Sequence, residues 1–199
     1  MPNVSNSLAI LRQKVFIPDP EGLTPSETRL ALKCRKTFLA PWTYPNLYFK
    51  KGKVSNEFCD TAVICNNIAI IFSDKAIAYS TTLTEPAAWT RWAKAALFKS
   101  INQLHGAKRI IEKGQELFLD SALTLPLDPE LYNRVSKIYL VAVVSGNEAA
   151  ASDYFNDKYS SILLDNQIVE ESCHTTPPYI WFNTRYQRLR PCIGLLFVR

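Results

Sequence analysis

The stretch EFCDTAVICNNIAIIFSDK, Glu57 to Lys75, sets ionisable side chains at both ends of two apolar runs. Glu57 and Asp60 open it, and Ser73, Asp74 and Lys75 close it. Carboxylates with an ammonium beside them are the groups that hold a cation and offset charge on an anion. Packing alone does not ask for them there. Two carboxylates about 4 Å apart repel by ~1 kcal/mol in water and by several times that when partly desolvated. A bound cation explains such a cluster better than folding does.

Whether these groups meet depends on the elements that carry them. The apolar runs read as two strands joined by Asn66-Asn67, a pair that tolerates the positive φ of a two-residue turn. With that turn Cys65 faces Ile68, and Asp60 falls opposite Ser73. Lys75 is two residues further on, on the same face and diagonal to Asp60. Asp74 and Cys59 point to the other face. A bulge near Cys59 would turn Glu57 inward, and a turn one residue longer would do the same for Asp74. Glu57 is the better candidate.

Upstream, LTPSETRLALKCRKTFLA predicts a helix. Thr24, Pro25 and Glu27 form a capping box with proline at the first helical position. Leu30, Ala31, Cys34 and Phe38 keep the period of one helix face, and Glu27 shares that face. Pro41 and Pro45 end the helix, and NLYFKKGKVSN reads as a short strand running into a basic turn. Downstream, TEPAAWTRWAKAALFKSINQLHGAKRIIEKG predicts one long helix, with Pro86 near its start and Gly114 just past its end. ELFLD reads as a short strand. SKIYLVAVVSG is a β-branched run, the pattern of a strand buried on both faces. EAAASDYFN reads as a short helix and SSILLD as a strand. The apolar run at the C-terminus is either the last sheet strand or a point where the chain is cut short.

This succession of an acid-bearing helix, a strand, a strand with Asp, a strand ending in x-Lys, a long helix and a buried strand resembles the PD-(D/E)xK nuclease superfamily. Its nuclease-related and restriction-endonuclease-like branches are the most similar. The resemblance covers roughly residues 24–145. It implies an α/β fold with a mixed central sheet flanked by helices, and Mg²⁺- or Mn²⁺-dependent hydrolysis of DNA or RNA. Asp60 matches the metal-binding acid, Lys75 the catalytic lysine and Glu27 the acid of the first helix. Ser73 stands where the family carries Asp or Glu, and a serine gives Mg²⁺ only a weak neutral oxygen. Glu57 is the compensating ligand. A small member of this kind suits defence against foreign nucleic acid, as a homo-oligomer or within a larger complex. The alternative is a nuclease fold with a decayed site, acting as a binding or assembly module.

Blander readings stand beside these. Asp60 and Lys75 could form a cross-strand ion pair worth ~0–1 kcal/mol, Glu27 could serve only as the cap, and Glu57 could simply be exposed. Lys50, Lys51 and Lys53 are candidate phosphate contacts or plain solvated surface. The four tryptophans suit core or interface better than base stacking.

The chain has 199 residues, 47% of them apolar, enough for one domain with a substantial core. That domain is expected over 23–199, with a core at 24–145, an extension at 146–199 and an N-terminal arm at 1–22. The net charge of +5 is compatible with a nucleic-acid partner without demanding one. Five cysteines with no CxxC pair suggest reduced thiols and a cytoplasmic location, and two histidines are too few for a usual zinc site. No apolar run is long enough to span a membrane.

Overall fold

The computed structural model describes residues 24–38, 40–156, 163–165, 180–182 and 193–197. The expected arm at 1–22 lies outside them, as do Cys173, His174 and Cys192 and the side chain of Trp181.

Helix α1 (Pro25–Phe38) begins at the capping box read from the sequence. The Thr24 N–H donates to Glu27 Oε2 at 2.8 Å, and the Glu27 N–H donates to Thr24 Oγ1 at 3.3 Å. Two of the helix's orphan donors are thereby satisfied. Leu30, Ala31 and Cys34 form its buried stripe, which packs on β1 (Thr43–Lys51) and β2 (Val54–Cys65). Pro41 lies in a 3₁₀ turn, Ala40–Trp42, but Pro45 belongs to β1, opposite Thr61. A proline is tolerated there because β1 meets its other neighbour, β4 (Leu117–Phe118), only at Tyr48 and Phe49.

Strands β2 and β3 (Ile68–Ala76) form the predicted hairpin, paired antiparallel from Cys65↔Ile68 to Thr61↔Phe72. Asn66 supplies the positive φ, 53°, that the turn requires. Strand β5 (Lys137–Ser145) runs parallel to β3. At one end Ser136 and Lys137 N–H donate to the Asn67 carbonyl, and at the other Ile77 N–H donates to the Ser145 carbonyl. With β8 (Ile193–Phe197), the strand order is β4-β1-β2-β3-β5-β8, a mixed six-stranded sheet. A separate parallel pair joins β6 (Leu163–Asp165) and β7 (Ile180–Phe182). The C-terminal apolar run is therefore a sheet strand.

The chain divides into two compact units, Met1–Ser73 with Gln103–Leu140, and Asp74–Asn102 with Val141–Arg199. In the first, α1 covers β1 and β2, and Leu47, Phe58, Ile64, Leu104 and Leu117 are fully buried. In the second, Trp89 and Trp92 stack at 5.6 Å within a cluster that includes Ala96, Leu97, Val144 and Ala151. Trp92 Nε1 donates to the Ile77 carbonyl at 2.8 Å. Trp42, by contrast, is 37% exposed.

The long helix between β3 and β4 differs from the expected single element. It runs as α2 (Glu85–Ala93), a π-helical turn Lys94–Phe98, and α3 (Lys99–Glu112). A π turn takes in an extra residue and re-phases the helix beyond it, a change that apolar spacing alone does not announce. The helix closes where Gly114, at φ 61°, lets its own N–H and that of Gln115 reach the carbonyls of Ile111 and Ile110. Two short helices, α4 (Pro129–Tyr132) and α5 (Glu148–Tyr154), flank β5 in sequence.

Candidate functional site

Asp60 sits on β2, five residues before the hairpin turn begins at Cys65, and is 1% exposed. A carboxylate so buried is costly unless partnered. Gln103, from α3, reaches it: Nε2 donates to Asp60 Oδ1 at 3.5 Å. The same amide accepts, at Oε1, the hydroxyl of the fully buried Ser73 at 3.2 Å. The helix amide thus bridges the two hairpin residues that the strand register predicted to be opposite. The sequence reading missed Gln103. Its signal was faint: a polar residue one position before Leu104, inside the helix's buried stripe.

A bulge lies just before Asp60 on β2. Strand β1 pairs Leu47 with Cys59 but Tyr48 with Glu57, so Phe58 is the extra residue. The expected bulge near Cys59 is therefore present, and Phe58 and Cys59 are both buried. Glu57 remains exposed, across from Tyr48. Its charge is felt on both sides of the bulge. Burial, then the Asp60 and Glu57 carboxylates, hold the Cys59 thiol well above its ordinary range. Burial, then Glu57, Glu27 and Asp120, raise the Tyr48 phenol.

Cys59 thus feels Asp60 and Glu57, and Tyr48 feels Glu57, Glu27 and Asp120. Among the described residues, however, no group of three Asp, Glu, His or Cys side chains could hold one metal ion. Glu27, Glu57 and Asp60 are not gathered into a single cage. Glu27 serves the capping box, where its Oε2 accepts the Thr24 N–H. Asp120 accepts the N–H groups of Thr124 and Leu125 and the Thr124 hydroxyl, closing a local turn.

On β3, Asp74 is buried, and Lys75 is half-buried with its ammonium donating to the Asp74 carbonyl at 3.0 Å. Strand alternation gives Lys75 and Ser73 the same side of β3. Lys50, Lys51 and Lys53 are all exposed around the β1–β2 turn, where Gly52 takes φ 63°.

One more polar residue belongs here. Between Pro45↔Thr61 and Leu47↔Cys59, Asn46 stands across from Asp60. It is 5% exposed at φ 46°, and its Oδ1 is buried without a hydrogen-bond partner. The oxygens of Asp60, Ser73 and Gln103 are all hard donors. Such a set fits Mg²⁺ or Mn²⁺, which accept few protein ligands and keep several waters.

No family model, no curated protein and no solved structure matches the chain. What stands is a mixed α/β protein with a buried polar cluster at its central hairpin. Among the described residues no helix is long and apolar enough to cross a membrane.

Proposed function

We propose that the chain is a Mg²⁺- or Mn²⁺-dependent phosphodiester hydrolase acting on DNA or RNA, with a restriction-endonuclease-like core. The observation that carries this reading is the Asp60 carboxylate, 1% exposed at the central hairpin, where burying a charge is costly to the fold. It is supported by the order helix, three antiparallel strands, long helix and, after the short β4, a strand β5 parallel to β3. Asp60 holds the cation, with Glu57 acting from the exposed side of the bulge. When bound, the cation supplies Lewis-acid polarisation of the phosphodiester and an activated water. The Lys75 ammonium offsets charge that builds on the phosphate. Gln103 keeps the Asp60 carboxylate oriented. The exposed Lys50, Lys51 and Lys53 meet the nucleic-acid backbone.

The test is cleavage of labelled single- and double-stranded DNA and RNA with Mg²⁺ or Mn²⁺. Wild type is expected to cut, and Asp60→Asn and Lys75→Ala are each expected to lose at least ~10²-fold. Substrates that survive wild type as they survive Lys75→Ala would remove catalysis from the account.

One observation favours a second reading, a non-catalytic binding or assembly module on the same fold. Ser73, in the place of an acid, spends its hydroxyl on Gln103. Nucleic-acid binding with no metal-dependent cleavage by wild type selects this reading.

A further inference from the structure

We propose that Asn46 is a cation-binding residue, its Oδ1 set across β1 and β2 from Asp60 to supply an oxygen that Ser73 gives only weakly. This rests on the reading that Asp60 holds a divalent cation. Asn46 and Asp60 lie between the paired positions Pro45↔Thr61 and Leu47↔Cys59, which makes them neighbours across β1 and β2. The backbone there takes φ 46°, a conformation that asparagine tolerates but glycine adopts more readily. Backbone shape alone would therefore be served by a residue with no polar side chain to bury. Instead an amide is carried into the interior, and its Oδ1 has no hydrogen-bond partner. Such a buried acceptor is a cost to the fold that a ligand repays. An amide oxygen is a hard neutral donor of the kind Mg²⁺ and Mn²⁺ accept beside carboxylates. The one-residue bulge immediately after it, at Leu47/Tyr48, has the place that bulges commonly take beside binding sites.

The experiment is Mn²⁺ binding to the full chain, followed by electron paramagnetic resonance and calorimetry, in wild type, Asn46→Gly, Asn46→Asp and Asp60→Asn. Glycine keeps the positive φ without strain and deletes the oxygen, so roughly tenfold weaker binding is expected. Aspartate keeps the oxygen and adds charge, so binding is expected to tighten several-fold. Asn46→Gly and Asn46→Asp both binding as wild type does, while Asp60→Asn loses the ion, overturns the role of Asn46 and leaves the Asp60 site standing. Should Asp60→Asn bind like wild type, the reading of the site falls and the inference falls with it. If Asn46→Gly does not fold, as far-UV circular dichroism reports, Asn46→Asp decides: unchanged affinity overturns the proposal.

Discussion

Replacing Gln103 by methionine, an unbranched side chain of similar length, removes both hydrogen bonds of the bridging amide while preserving helix propensity and volume. The Ser73 bond, at 3.2 Å between neutral groups, is worth about 1 kcal/mol net. The Asp60 bond involves a carboxylate, a class worth about 1.5–3 kcal/mol, but at 3.5 Å it belongs at or below the bottom of that range. The sum is roughly 2 kcal/mol of lost stability. A double-mutant cycle separates the bridge from simple packing. Ser73→Ala, Gln103→Met and the double variant are unfolded in urea, and the coupling energy is expected near 1 kcal/mol. A coupling below about 0.3 kcal/mol, the scatter of independent sites, means that Gln103 does not hold the hairpin residues together.

The glycines give a matched pair. At Gly146, with φ 103°, a Cβ would press into the Ile77 carbonyl, so Gly146→Ala is expected to cost ~3 kcal/mol or more and to lower Tm by roughly 6–12 °C. Gly106, inside α3 with open space at its Cβ, should gain about 0.5–1 kcal/mol on the same change, and a loss there would contradict the helix. Burial pushes the Cys34 thiol from 9.0 up to about 11. Its folded pKa is raised, so the stability it contributes is complete below pH 9 and is lost as pH rises through 11. Urea midpoints followed between about pH 8 and 11.5 should fall less steeply in Cys34→Ala than in wild type, and identical slopes would contradict the assignment.

Much of the fold was legible because its signals are local. The capping box at Thr24 and Glu27, the Asn66-Asn67 turn and the alternation on either side of it fix α1 and the β2–β3 register without reference to the rest of the chain. The β1–β2 bulge was expected near Cys59, but its effect was not, since Glu57 stays exposed beside it. Gln103 and Asn46 escaped notice because their importance comes from contacts and strand partners distant in sequence, which no period or spacing encodes. The π turn at Lys94–Phe98 escaped for a local reason: one extra residue shifts the apolar stripe around the helix without interrupting it. Glu27 entered the ligand set through the resemblance and Glu57 through the expected bulge; the structure shows Glu27 engaged in its cap, Glu57 exposed, and no three-acid cluster among the described residues.

The most direct test is a crystal soaked in Mn²⁺ and measured at the manganese edge. The account predicts one anomalous peak about 2.0–2.2 Å from an Asp60 carboxylate oxygen, with Asn46 Oδ1 in the same coordination shell. A fully soaked crystal with no peak at Asp60, or with its peak only at surface carboxylates, would contradict it.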